Sequence, residues 1–193
     1  MQEFKQIQEK LKITLDEPRY EHTLGVMYTA GCMAMAFSFD VKLAMLAGLL
    51  HDCAKCMSHE ERLLLCNTYN VAVTDSELKN KALLHAKAGA ILAKIEYDIT
   101  NEDILHAIAV HTTGEPDMNI LDKITFIADY IEPGRDKAPN LDYVRKLAYQ
   151  DLDACMAQIL SDTLEYLHSR GGEIDPTTEL TYQFYKKYQK ERA

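Results

Sequence analysis

An all-α fold in one domain over residues 1–193 is expected from three features of the chain. Apolar residues recur at helical spacing, helix-capping residues punctuate them, and no alternating run of useful length suggests a strand. A length of 193 residues suffices for one sizeable core, and 47% hydrophobic with 26% charged residues is an ordinary globular composition.

Each element has its own signal. Phe4, Ile7 and Leu11 stripe a first helix over residues 2–13. Asp16 and Pro18 start a second, which runs to about Phe37. Asp40 can cap a third, VKLAMLAGLLHDCAK, through residue 55. Ser58 with Glu61, and Thr74 with Glu77, are capping-box spacings that each open a further helical stretch. Thr100 or Asn101 opens a helix through His111, which TTGEPD breaks. Residues 119–131, NILDKITFIADYI, form another, stopped by Pro133 and Gly134. A stretch from about 140 to 169 follows, with room for one break. Gly171 and Gly172 close it, and Asp175 with Pro176 start the last helix. There Tyr182, Phe184, Tyr185 and Tyr188 either pack internally or form a homodimer contact.

Charge and composition exclude several classes of function. A net charge of −9 opposes non-specific binding to nucleic acid or anionic membranes, which need a positive field. The amino terminus, MQEFKQIQEKLKI, has no signal-peptide core, and no apolar stretch is long enough to span a bilayer. Five cysteines, an odd number scattered through helical patterns, suit reduced thiols and a cytoplasmic location. Cys53 and Cys56 form a CxxC, but without a second pair a zinc or redox role is the weaker reading.

The candidate chemistry lies where apolar helices meet polar residues. In AGLLHDCAK, Gly48, His51 or Asp52, and Lys55 share one helical face, and one cation beside the axis can reach both His51 and Asp52. An unpaired carboxylate ending so apolar a segment would cost several kcal/mol, so something cationic should compensate it. Asp129 is the lone acid within ITFIADYI; it either turns to solvent, pairs with an arginine, or ligates a metal. His22 lies one turn into the second helix, and His85 and His111 also follow or end apolar stretches. His59, His106 and His168 read as surface or helix-end residues. Several imidazoles with two carboxylates and no thiolate suit Fe, Mn or Co, admit Zn, and disfavour Mg or Ca.

The order H…HD…H…H…D over an all-α chain resembles the HD-domain metal phosphohydrolases. HTLGVM at 22–27, HDCAK at 51–55, LLHAKAGA at 83–90, AIAVHTTG at 107–114 and KITFIADYIEPGR at 123–135 narrow the likeness further. They resemble the YqeK-like group, bacterial symmetrical diadenosine tetraphosphate hydrolases. The resemblance implies one iron-type centre held by His22, His51, Asp52 and Asp129, with a second ion left open. It implies that Lys55, His85, His111, Thr112 and Arg135 contact nucleotide phosphates, beside the metal residues His22, Asp52 and Asp129. It further implies that Arg170, Gly171, Gly172, Glu173, Ile174 and Asp175 close over the nucleotide, and that ADP is the product. One departure is visible: Glu115 stands where that group commonly has arginine.

Hydrolysis of a polyphosphate needs an activated water and neutralisation of phosphoryl charge, and a bound metal serves both. Asp52, Lys55, His85 and His111 are the expected catalytic residues. Lys55 acts as a point charge and Arg135 as a bidentate fork. His85 and His111 bind phosphate, one of them serving as general acid, or else ligate a second metal. Rival readings are an HD-type phosphohydrolase or phosphodiesterase acting on another nucleotide, and a nucleotide- or metal-binding sensor without turnover.

Overall fold

The computed structural model describes residues 2–171 and 174–189. Among these residues there are helices and turns but no strand. The first half of the chain forms α1 (Gln2–Thr14), α2 (Glu17–Ala36), α3 (Val41–Leu50), α4 (His59–Thr68), α5 (Asp75–Lys79) and α6 (His85–Glu96). The second half forms α7 (Glu102–Val110), α8 (Ile120–Ile131), α9 (Leu141–Leu147), α10 (Leu152–Arg170) and α11 (Pro176–Tyr185).

Local chemistry sets most of the boundaries. The Asp16, Asp40, Asn101 and Asp175 side chains each accept from backbone N–H groups of the helix that follows. Ser58 with Glu61 and Thr74 with Glu77 form the expected capping boxes, and Asn119 with Asp122 adds a third. The stretch from 140 to 169 breaks once, as its sequence allowed, where Asp151 caps α10 by accepting from Ala154 N–H. Two boundaries differ from expectation. The stretch opened by Thr74 ends after five residues, and α6 starts afresh at His85.

The second difference matters more, because α3 stops at Leu50 rather than continuing through Lys55. His51 Nδ1 donates to Gly48 O at 2.7 Å, occupying the carbonyl that an α-helical Asp52 N–H would use. The chain then tightens into i→i−3 turns, Cys53 N to Leu50 O and Lys55 N to Asp52 O. Buried Arg62 braces these turns, donating to Ala54 O and Lys55 O, and ties them to Lys81 O.

One core joins the elements that carry the candidate residues. Helix α2 packs on α3 and α8, α7 on α3, α6 and α8, and α10 on α8, α9 and α11. Met27, Leu49, Leu50, Ile108, Ile124 and Ile127 are fully buried between them. Gly48 permits the closest approach: a Cβ there would stand 3.1 Å from Met27 Cα and from Val26 O. Tyr182 and Phe184 pack against this core, and buried Tyr185 Oη accepts from Met118 N–H at 2.9 Å. These three aromatic residues therefore serve the interior. No helix among the described residues is long and apolar enough to cross a membrane.

His106 lies on the surface of α7 and is not idle. Its Nδ1 stands 3.0 Å from Asp122 Oδ1 and its Nε2 3.0 Å from Glu115 Oε1. The ring thus ties α7 to the first turn of α8 and to the loop between them. Burial opposes its charge, but the Asp122 and Glu115 carboxylates outweigh burial and raise its pKa.

Two outcomes are expected. Gly48→Ala gains about 1 kcal/mol of helix propensity but meets backbone that cannot yield, at an overpacking cost of about 1–3 kcal/mol. Denaturant unfolding should therefore show a net loss of stability. For His106, the folded pKa lies above the unfolded value of about 6.5. Its contribution is complete below that pH and fades as pH rises through the folded value. Melting temperatures of wild type and His106→Gln should therefore converge above neutrality. At lower pH wild type should lead by no more than about 2–4 °C, because the ring is half exposed.

Candidate active site

Helix ends deliver the histidines. His51 and His111 are the C-cap residues of α3 and α7, and His85 opens α6. Each turns Nδ1 back to the carbonyl three residues earlier: His51 to Gly48 O at 2.7 Å, His85 to Ala82 O at 2.5 Å, His111 to Ile108 O at 2.7 Å. A carbonyl only accepts, so Nδ1 carries the proton in all three rings. His22, inside α2, instead faces the Glu132 carboxylate, with Nδ1 3.1 Å from Oε1.

The four Nε2 atoms are thereby aimed inward, where they meet two carboxylates. His22 Nε2 is 3.0 Å from Asp129 Oδ1 and 3.9 Å from Asp52 Oδ2. His51 Nε2 is 3.5 Å from Asp52 Oδ2 and 3.8 Å from Asp129 Oδ1. Across Asp52, Oδ1 faces His85 Nε2 at 3.0 Å and His111 Nε2 at 3.6 Å, and those two nitrogens are 3.1 Å apart. His22 Nε2, His51 Nε2 and Asp52 Oδ1 are buried without a properly directed hydrogen bond.

So many lone pairs at such distances repel one another unless a cation sits among them. Donors on adjacent corners around one ion, each about 2.1 Å away, stand about 3 Å apart. His22, His51 and Asp129 form a group whose spacing and donor type suit a transition-metal ion, and Asp52 Oδ2 stands 3.5 Å from His51 Nε2 and 3.9 Å from His22 Nε2 beside it. His51, Asp52 and His111 form an overlapping group able to hold an ion.

Positive side chains ring these acceptors. Arg19 Nη1 lies 2.7 Å from Asp52 Oδ2, and Arg135 Nη2 lies 2.6 Å from Asp129 Oδ1. Asp129 therefore has the arginine partner that was the alternative to ligation, and it faces His22 as well. Lys55 Nζ is 3.0 Å from His85 Nε2 and 3.5 Å from Asp52 Oδ1. Burial would raise the Asp52 and Asp129 carboxyls, and positive charge on the facing imidazole nitrogens, joined at Asp129 by Arg135, is what holds both well below the usual range. Rings that present lone pairs leave that charge to be supplied by a cation. Burial lowers the Lys55 pKa and takes His85 down to about 4, leaving that ring neutral at pH 7.

The site opens into a cavity of about 1070 Å³. His22, Lys55, His85, His111, Thr112, Asp129, Arg135 and Arg170 all line it, whereas His51 and Asp52 lie buried beneath its floor. Thr112 Oγ1 sits 3.4 Å from His85 Nε2 and 3.3 Å from His111 Nε2. The segment 170–175 is only partly gathered in. Gly171 ends α10 in a left-handed conformation, and Gly172 and Glu173 lie outside the described residues. Ile174 does not line the cavity, and Asp175 caps α11 beside a smaller cavity shared with Glu115. Glu115 pairs with His106 away from the main cavity, so the departure at this position does not place an acid there.

Sequence reasoning missed Arg19, Glu132, Tyr130 and Tyr166, all of which bear on the site or its cavity. Arg19 and Glu132 had a legible signal: each stands three residues from a candidate ligand, His22 or Asp129, and hence on its helical face. The CxxC is not a dithiol pair. Cys53 is buried, donates to Gly89 O and has its thiol pKa pushed up by burial, while Cys56 is exposed.

The chain is similar to known proteins in sequence and in fold. A family model described as the HD domain matches residues 19–134. The symmetrical bis(5'-nucleosyl)-tetraphosphatase of Bacillus subtilis is 40% identical over 176 residues, 90% of this chain and 92% of that protein. Its counterpart from Halalkalibacterium halodurans is 40% identical over 172 residues, 89% and 91% of the two chains. The crystal structure of a Clostridium acetobutylicum protein, titled a predicted HD superfamily hydrolase involved in NAD metabolism, superposes with a TM-score of 0.92. It is 38% identical, over 96% of this chain and 98% of that one. This chain belongs to the HD domain family.

Proposed function

We propose that the chain hydrolyses dinucleoside tetraphosphates symmetrically, releasing two ADP from diadenosine tetraphosphate. The observation that carries this reading is the convergence of four imidazole Nε2 atoms and two carboxylates at the floor of a cation-rimmed cavity. The likeness to the tetraphosphatase relatives, at 40% identity, runs over about nine-tenths of the chain. A volume of about 1070 Å³ lies at the top of the range of about 300–1,000 Å³ for small-molecule sites, which suits a dinucleotide.

His22, His51, Asp52 and Asp129 would hold a transition-metal ion, iron by preference with manganese or cobalt next, which when bound would supply Lewis acidity and lower the pKa of a water. The protein's own groups do the rest. Arg135 offers a planar fork to phosphate oxygens, while Arg19 adds charge beside Asp52 Oδ2 and Lys55 beside Asp52 Oδ1. Attack of water at a central phosphorus breaks the bridging P–O bond, and charge then grows on the departing ADP oxygen. Lys55 suits that oxygen as proton donor, because His85, with its proton committed to Ala82 O, presents a lone pair instead. His111 and Thr112 position the phosphates, or with His85 and Asp52 Oδ1 hold a second ion. Phe126, Tyr130 and Tyr166 wall the cavity farther out and offer flat faces to a base, and Arg170 lies over the Tyr166 ring at 5.2 Å. The reading places the protein in the cytoplasm, acting on a small nucleotide rather than on nucleic acid or membrane.

Product analysis by chromatography tests the proposal. Diadenosine tetraphosphate should yield ADP alone; AMP with ATP, or phosphate from mononucleotides, would point to another activity. His51→Ala and Asp52→Ala should lose both bound metal and turnover. Lys55→Ala should retain the metal and lose roughly 10²–10⁴-fold in rate; loss of metal in that variant would give Lys55 a structural role.

A further inference from the structure

We infer that Glu132 is the positioning residue for His22, fixing through Nδ1 the direction in which that ring presents its lone pair. The inference rests on the metal-site reading above. Three of the four histidines orient themselves through a carbonyl only three residues away, so local backbone holds them. His22 lacks such a bond among those described, and its Nδ1 partner, Glu132, is 110 residues distant in sequence. The Nε2 of that ring, 3.0 Å from Asp129 Oδ1, depends on this one contact for its tautomer and rotation.

The surroundings are shaped to hold the carboxylate. Glu132 is buried, and its Oε2 accepts from Gly134 N–H at 2.6 Å. Gly25, three residues beyond His22 on α2, lies bare beneath it: a Cβ there would come within 2.6 Å of Oε2. A Cβ on Gly134 would stand 3.0 Å from the same atom. From α9, Arg145 clamps the backbone on both sides, donating to the carbonyls of Ile131, Glu132 and Arg135. Two glycines, a backbone N–H and an arginine clamp thus converge on a side chain that touches the ligand but not the cation position. A carboxylate there also makes Nε2 a stronger donor than a neutral carbonyl would.

The test is Co2+ titration of metal-stripped protein, followed by visible absorption, with melting temperature recorded alongside. Glu132→Gln keeps the shape and removes the charge. It should melt like wild type, bind Co2+ roughly 10–100-fold more weakly and show altered bands. Gly25→Ala, which displaces the carboxylate while retaining it, should weaken binding in the same way. Wild-type affinity in Glu132→Gln would overturn the inference, leaving the residue as packing only. Imidazole nitrogen NMR of metal-free wild type is a check that no unstable variant can spoil: a His22 ring protonated at Nε2 rather than Nδ1 would also overturn it. If wild type binds Co2+, His51→Ala does not, and Glu132→Gln matches wild type, only this inference falls. If wild type takes up no Co2+, the metal site itself falls with it.

Discussion

The structure depends on where four imidazole protons are placed. Each Nδ1–H points outward to a carbonyl or a carboxylate, so each Nε2 is left to face the others and two acids. Buried acceptors without donors cost kilocalories apiece, and a carboxylate costs more. The fold holds this arrangement because Arg19, Lys55 and Arg135 offset part of the charge from its edge. None of the three lies on the line between His22 Nε2 and His51 Nε2 in its described contacts, and those two nitrogens remain without a hydrogen bond. A cation is the simplest chemical complement to that residue of unmet acceptors.

The same bonds that orient the rings also end the helices. By taking Gly48 O, His51 both stops α3 and fixes its own tautomer, and His111 does the same at the end of α7. Structural and chemical roles are therefore not separable at these positions. Close packing completes the arrangement: the bare Gly48 surface lets α2 approach α3, which sets His22 beside His51 with ring centroids 5.3 Å apart. A bulkier contact there would widen the gap that one ion has to span.

Much of this was legible in the chain because it is local. Caps at Asp16, Asp40, Ser58, Thr74 and Asp175 act within three residues of themselves, so periodicity and cap chemistry suffice to find them. The histidines and the two aspartates were legible as polar residues at the ends of apolar runs and through their ordered likeness to a family. The end of α3 was not, because propensity favours continuing through Asp52, and the bond that stops the helix is made by a side chain. Arg19 and Glu132 were passed over for a related reason. Their partners lie 33 and 110 residues away, and charged residues near helix ends ordinarily face solvent.

Asp52 joins the two halves of the site through its two oxygens. Oδ2 faces Arg19, His51 and His22, on the side of Asp129, whereas Oδ1 faces His85, His111 and Lys55. Charge drawn from one oxygen changes what the other can offer, so the group that helps hold a cation also sets how firmly Lys55 is held. A chain of net charge −9 would repel a polyphosphate at long range, and rim cations alone would bind it without activating anything. Placing a shared carboxylate between an acceptor-rich pocket and a lysine resolves both demands. A cation held in the first half would add the positive charge that phosphates need, and their oxygens would then compete with Asp52 for Lys55 at the point where negative charge grows.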